Sequence, residues 1–213
     1  MLDRSPENAP APGASTPCWS CRTPVDARAP FCHACGTIQP PRAVDHFVRL
    51  GVKRQFDVDL RELERQYFGF QRRFHPDRFA TKSAEERAFS LQHSTATNEA
   101  FETIRSPRRR AEYLLTLLGQ PALPADAHTV GDPALLAEVL QLREALDESA
   151  EPRAMQRIAQ DALARAEDCT RSIAAAFAAG NLAEAGKQTL RLAYLDKLAD
   201  EIRARGRRPK PGP

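Results

Sequence analysis

Residues 73–79 read Arg73-Phe74-His75-Pro76-Asp77-Arg78-Phe79, RFHPDRF, and they break an otherwise helical pattern. Upstream, Leu60, Leu63, Tyr67, Phe70 and Phe74 recur at steps of three and four, which gives one helix a strongly apolar face. Proline at 76 disfavours helical geometry at His75, so the helix stops there and the His-Pro-Asp triplet is a loop. Downstream, Ser83 and Glu86 have capping-box spacing and open a helix through Ala96, Ala100, Phe101 and Ile104. The two helices are expected to form an antiparallel hairpin with the loop at its tip.

The pattern extends in both directions. Before the hairpin, VDHFVRLG places Val44, Phe47, Val48 and Leu50 on one side of a short helix that Gly51 ends in a left-handed conformation. Asp57 is the expected N-cap of the first hairpin helix. After it, Ser106-Pro107 restarts a helix that carries Tyr113, Leu114, Leu117 and Leu118. Asp132-Pro133 opens another, with Leu135, Val139, Leu142 and Leu146 as a core stripe. Leu136 and Leu140 form a second stripe beside it, continued by Arg143 and flanked by Gln141 and Glu144. That stripe suits a partner groove, although a broad core face explains it equally. Two further helices, near 153–179 and 181–204, complete a three-helix bundle, with Gly180-Asn181 as the stop and restart between them. Met155, Ile158, Ala162, Cys169, Ile173 and Phe177 share one face, so Cys169 reads as a small core hydrophobe.

Bulk properties narrow the classes. The chain has 213 residues, 42% hydrophobic and 28% charged, with a net charge of +3, which describes a helical globular protein rather than a dedicated nucleic-acid binder. The RSPRRR run at 105–110 reads as a solvated helix start. No run of about 18 apolar residues occurs, so no membrane-spanning helix is expected. The first seventeen residues fit neither a signal nor a transit peptide, and a disordered leader and a cytoplasmic protein are expected. The tail RGRRPKPGP is expected to be disordered as well. An enzyme would need a convergent constellation, and His75 has no nucleophile or metal partner near it in sequence.

Cysteine usage is uneven. Cys18, Cys21, Cys32 and Cys35 form two C-x2-C pairs, which can close a tetrahedral shell around zinc in a segment too short to build its own core. A disulfide pair, redox cysteines and iron are the weaker alternatives. Trp19, Phe31 and Ile38 are expected to pack around the knuckles, and His33 to lie on the surface.

The residues DHFVRLGV, FHPDRF and NEAFETIRSPRRRAEYLL resemble a J-domain, the module by which co-chaperones stimulate ATP hydrolysis in DnaK-class chaperones. His46 stands where J-domains commonly have tyrosine, and Arg78 where lysine is usual. HTVGDPALLAEVLQLREALDE at 128–148 and RLAYLDKL at 191–198 are similar to the HscB family of iron-sulfur co-chaperones, and the CWSC and FCHAC pairs look like the zinc module of its eukaryotic-type members. The resemblance implies an all-α fold: a disordered leader at 1–17, a zinc module at 18–40, a J-domain at 44–120, a C-terminal bundle at 128–204 and a disordered tail at 205–213. It implies no enzyme, and a structural zinc on Cys18, Cys21, Cys32 and Cys35.

It also implies two partners and neither nucleic acid nor membrane. A DnaK-class, HscA-like chaperone would bind His75, Pro76 and Asp77, with Arg65, Arg72, Arg73 and Arg78 supplying charge. The iron-sulfur scaffold IscU would bind Leu136, Leu140, Gln141, Arg143, Glu144 and Tyr194. Ala137 and Gln141 differ from the methionine and glutamate of bacterial relatives, and Tyr194 also fits the rim of a core. A general J-protein with a different client is the alternative function.

Overall fold

The computed structural model describes residues 15–26, 29–120, 133–148 and 152–207, and its contacts divide the chain into two compact units, Met1–Ser106 and Pro107–Pro213. The first unit begins with a two-stranded antiparallel sheet, β1 (Ser15–Pro17) on β2 (Pro24–Asp26). Ser15–Pro17 is therefore ordered as a strand rather than part of a leader; residues 1–14 lie outside the described residues. Helix α1 (His46–Leu50) is capped by Asp45 and closed by Gly51 at φ 67°, where a Cβ would be strained. It buries Phe47 and Leu50, while Val48, expected on the same face, is exposed.

The hairpin forms as its local signals dictate. Helix α2 (Leu60–Phe74) starts at Asp59, whose carboxylate accepts from the backbone N–H groups of Arg61 and Glu62 at 2.9 and 3.2 Å. The expected cap, Asp57, lies two residues too early. Both aspartates have the right chemistry, and only the packing of the following helix selects between them. Helix α3 (Ala84–Arg105) carries the reciprocal Ser83–Glu86 capping box. The helices run antiparallel: the Tyr67 and Phe101 rings stack with centroids 4.0 Å apart, and Ser90 Oγ donates to Phe74 O at 2.7 Å. Leu63, Phe74, Ala100, Phe101 and Ile104 are buried between them, whereas Leu60, at the start of the stripe, is exposed.

The second unit comprises α4 (Pro107–Leu117), α5 (Pro133–Glu148), α6 (Pro152–Ala178) and α7 (Leu182–Arg207). Helix α4, expected to belong with the hairpin, groups with this unit because Leu115 packs with Ala176 and Ala185 in one core cluster joined by Phe177 and Leu182. Helices α6 and α7 pair along their length, and α6 ends at Gly180 (φ 68°), with Asn181 N–H bonding Ala176 O and Gly180 N–H bonding Phe177 O. That arrangement is a Schellman stop; Asn181 then caps α7 by accepting from Glu184 N–H at 3.1 Å. Helix α7 runs to Arg207, past the expected limit of 204. Cys169 is buried as a core residue, and burial pushes its thiol pKa up. Among the described residues the fold is all-α apart from the small sheet and the isolated Phe31–Ile38 bridge at the cysteine segment.

Candidate functional site

The loop is built by its two ends. Pro76 holds His75 at φ −57°, ψ 126°, which ends α2, and residues Pro76–Phe79 make a single 3-10 turn closed by Arg78 N–H on His75 O at 3.0 Å. Phe74 before the triplet and Phe79 after it are both buried, so the intervening residues are pushed outward. His75 Nδ1 accepts from the Asp77 backbone N–H at 3.3 Å and lies 3.5 Å from an Asp77 carboxylate oxygen. The Asp77 side chain is 89% exposed, so the turn offers a free carboxylate and an imidazole side by side.

The arginines near the loop differ in what holds them. Arg78 donates to Arg72 O at 3.0 Å and so closes the C-terminal end of α2, where a cation also meets the negative end of the helix dipole. Arg73 lies over the Phe31 ring at 5.2 Å. Arg72 is exposed and reaches back to Phe68 O at 3.4 Å. Arg65, paired with Glu62, stands two helical turns before Arg72 and not at the loop. Between Arg65 and Arg72 lies Phe68, 55% exposed, which the sequence reading did not single out. The signal was present: 68 falls outside the 60-63-67-70-74 stripe, so an aromatic there faces solvent.

The four cysteine sulfurs gather within 4.8 Å of one another. Cys18 and Cys35 are 3.8 Å apart, and Cys21 and Cys32 are 3.7 Å apart. Thiolates at about 2.3 Å from a tetrahedral zinc would be separated by about 3.8 Å, so the donor set fits that ion. The knuckles repeat one construction. Cys18 N–H bonds Thr23 O and Arg22 N–H bonds Cys18 O, while Cys32 N–H bonds Thr37 O and Gly36 N–H bonds Cys32 O. Arg22 and Gly36 both take positive φ, at 67° and 72°, at the equivalent turn position. The Cys21 backbone N–H does most to hold the Cys18 thiol down to about 6, against opposition from burial, with Ser20 N–H and the Gln39 amide adding to it. Cys32 goes the other way: although the Cys35 backbone N–H lowers it, burial and the Cys35 and Cys21 thiols push it up to about 11, so the thiols hold their protons unevenly and a metal would have to displace those that remain.

Trp19, Phe31 and Ile38 frame the knuckles through the backbone, with Phe31 bridged to Ile38 and the Trp19 indole N–H on Ile38 O, but their side chains lie outside the buried cluster of Cys18, Val25 and Cys32, against which Ala29 packs, among the described residues. Ile38 instead joins Phe74 and Phe79, with Phe31, Phe70 and Phe89 packed on that cluster, and Trp19 meets Phe89 edge-on at 5.8 Å. A metal held by the four cysteines would cross-link the segment and remove the need for a larger inner core, which leaves the large side chains to serve a different surface.

On α5, Leu142 and Leu146 are buried while Leu140 is 57% exposed, and Gln141, Arg143 and Glu144 are exposed with it. Leu140 and Glu144 are one turn apart and share a face. The side chain of Leu136 lies outside the described residues. Tyr194 of α7 is half-buried. Glu138, on the same helix, accepts from Arg165 and Arg191 at 2.7 and 2.6 Å, which ties α5 to α6 and α7. Leu163 of α6 is a further exposed leucine.

A His-Pro-Asp turn at the tip of a capped antiparallel hairpin, followed by a separate helical unit, defines a J-type co-chaperone. Comparison with known proteins carries this further. Residues 131–203 match the family model described as the HSCB C-terminal oligomerisation domain. The mouse iron-sulfur cluster co-chaperone protein HscB is 32% identical over 87% of this chain and 81% of its own. The crystal structure of the human co-chaperone protein HscB is similar with a TM-score of 0.85 at 30% identity, covering 90% of this chain and 99% of that one. Chaperone HscB from Vibrio cholerae matches with a TM-score of 0.67 at 30% identity, covering 76% of this chain and 98% of that one. The chain belongs to the HscB family of iron-sulfur cluster co-chaperones. Its relatives are named co-chaperones, and among the described residues no helix is long and apolar enough to cross a membrane.

Proposed function

We propose that this chain binds an IscU-type iron-sulfur scaffold and delivers it to a DnaK-class, HscA-like chaperone in the cytoplasm, stimulating that chaperone's ATPase to promote cluster assembly or transfer. The observation that carries this reading is the His75-Pro76-Asp77 turn, exposed between buried Phe74 and Phe79. The exposed Asp77 carboxylate and His75 imidazole would present polar contacts to the chaperone. Arg65, Arg72, Arg73 and Arg78 add positive charge, which speeds encounter and fixes orientation more than it adds affinity. Phe68, between Arg65 and Arg72, contributes an apolar contact to the same face. The chain itself is no enzyme, because the hydrolytic groups belong to the chaperone.

The scaffold would bind α5 through Leu136, Leu140, Gln141, Arg143 and Glu144, with Tyr194 beside them. An exposed leucine among charged residues is the kind of anchor such an interface needs. Cys18, Cys21, Cys32 and Cys35 would hold a zinc ion, which in a closed four-cysteine site cross-links the segment and leaves no position for substrate. The functional modules would be the zinc module at 18–40, joined by the strand Ser15–Pro17, the J-domain at 44–120, whose last helix α4 packs with the second unit, and the scaffold-binding bundle at 128–204, whose last helix runs on to Arg207.

The test is the steady-state ATPase of a cognate HscA-like chaperone with this protein and IscU added singly and together. Synergistic stimulation that His75→Gln abolishes is the expected result. Stimulation indifferent to IscU would identify a general J-protein with a different client, and no stimulation would overturn the reading.

A further inference from the structure

Each large side chain of the cysteine module ends on the segment that bears the loop. Trp19, which follows Cys18, donates its indole N–H to Ile38 O at 2.7 Å and sets its ring edge-on to Phe89. Phe31, which precedes Cys32, stacks on Phe74 with ring centroids 5.7 Å apart and planes 12° from parallel. Ile38, fully buried, packs with Phe74 and Phe79, the two residues that bracket the turn. A polar path runs beside these contacts. The Gln39 amide donates to Cys18 Sγ at 3.4 Å, Gln39 O bonds His93 Nε2 at 2.9 Å, and the His93 ring stacks on Phe74 at 4.4 Å.

We propose that the four-cysteine module is a clasp for the His75-Pro76-Asp77 loop, in which Phe31 and Ile38 are positioning residues that seat Phe74 and Phe79 and so pre-organise the turn for its partner. The proposal rests on the functional reading above for the identity of that partner. Its mechanical part stands on the packing alone. The turn's own bonds, Arg78 N–H on His75 O and Ala80 N–H on Asp77 O among them, shape it locally, and its two buried aromatic anchors, Phe74 and Phe79, fix it to the rest of the unit. Those anchors pack on the module from the side that the cysteine ligands shape. Phe31 also holds the Arg73 guanidinium, so one ring positions both the turn and a charge beside it. Metal loss would then be felt at the loop as lost pre-organisation, which lowers apparent affinity by reducing the binding-competent fraction.

Hydrogen exchange of the full-length, zinc-loaded chain tests this at amides 75–82, before and after zinc removal by a chelator under reducing conditions, and in Ile38→Ala. Zinc removal is expected to speed exchange there by about tenfold or more while amides of α7 keep their rates. Ile38→Ala should do the same with one zinc still bound, and Ile38→Val should restore the protected loop. In titrations of the chaperone ATPase, Ile38→Ala should raise the half-saturating concentration by about three- to tenfold and spare the maximal stimulation, whereas His75→Gln removes the stimulation itself. Unchanged exchange at 75–82 while amides 18–37 open would overturn the clasp. If Ile38→Ala unfolds the hairpin, Phe31→Leu replaces it: faster exchange confined to the loop supports the clasp, and equal opening along 60–82 makes the module a general stabiliser and overturns it. A wild-type chain that fails to stimulate the chaperone would defeat the functional reading, and the exchange rates would still decide whether the module holds the loop.

Discussion

In the first unit the hairpin is held by rings: Tyr67 on Phe101, Phe74 between Phe70, Phe31 and His93, and Trp19 on Phe89. In the second unit Ala176 and Ala185 pack with Leu115 and Leu182, Ala162 is buried as well, and a half-buried carboxylate, Glu138, joins three helices. The difference follows from what each displays. Aromatic rings pack in defined relative orientations, so they hold a short turn in place at its two buried ends, Phe74 and Phe79. Small residues bring the long helices α6 and α7 close, while Leu140 on α5 stays exposed. One unit thus presents a positioned loop, and the other presents a helix face.

Metal removal should widen this contrast most. Structural zinc contributes on the order of 10 kcal/mol to the folding of small modules, so a chelator should unfold residues 15–40 and leave the α4–α7 unit at its original melting temperature. Circular dichroism of the full chain with a Trp19 fluorescence readout separates the two. Loss of α7 helicity on chelation would break the comparison.

Within the second unit, Leu146→Ala should cost about 3 kcal/mol, because it opens a cavity in a fully buried site, while Leu140→Ala should change stability by less than about 0.5 kcal/mol. Binding reverses the order. Leu140→Ala should weaken scaffold binding about tenfold by calorimetry, as expected for an interface anchor. Equal effects of both variants on stability would show that α5 has no distinct partner face.

Glu138→Gln should destabilise the same unit by about 1–2 kcal/mol in urea unfolding, since it removes the carboxylate that Arg165 and Arg191 share, although Arg165 keeps its pair with Asp161. Burial acts to raise the Glu138 pKa, but the hydrogen bonds and charges of Arg191 and Arg165 outweigh it and hold it below the ordinary 4.5. A depressed folded-state pKa means that the stabilisation is complete above that value and is lost as pH falls through the lower folded-state pKa. The acid limb of the stability curve should therefore shrink in Glu138→Gln. The smallest effect belongs to the hairpin: Ser83→Ala should cost about 1 kcal/mol by removing one half of the capping box.

Much of this architecture depends on contacts a few residues long, and those were legible in the chain. Proline at 76 ends α2, Ser83 with Glu86 starts α3, Gly51 and Gly180 close their helices, and the spacing of Cys18, Cys21, Cys32 and Cys35 sets two knuckles. Each involves groups that meet whatever the rest of the chain does. The tertiary structure decided the remainder. Asp59 rather than Asp57 caps α2, α4 joins the second unit, and Phe68 and Leu140 face outward, because packing against distant residues selects among locally equivalent choices. The same holds for Trp19, Phe31 and Ile38: hydrophobicity says they must be covered, but only the folded chain shows that the cover is the helical hairpin bearing the His-Pro-Asp loop.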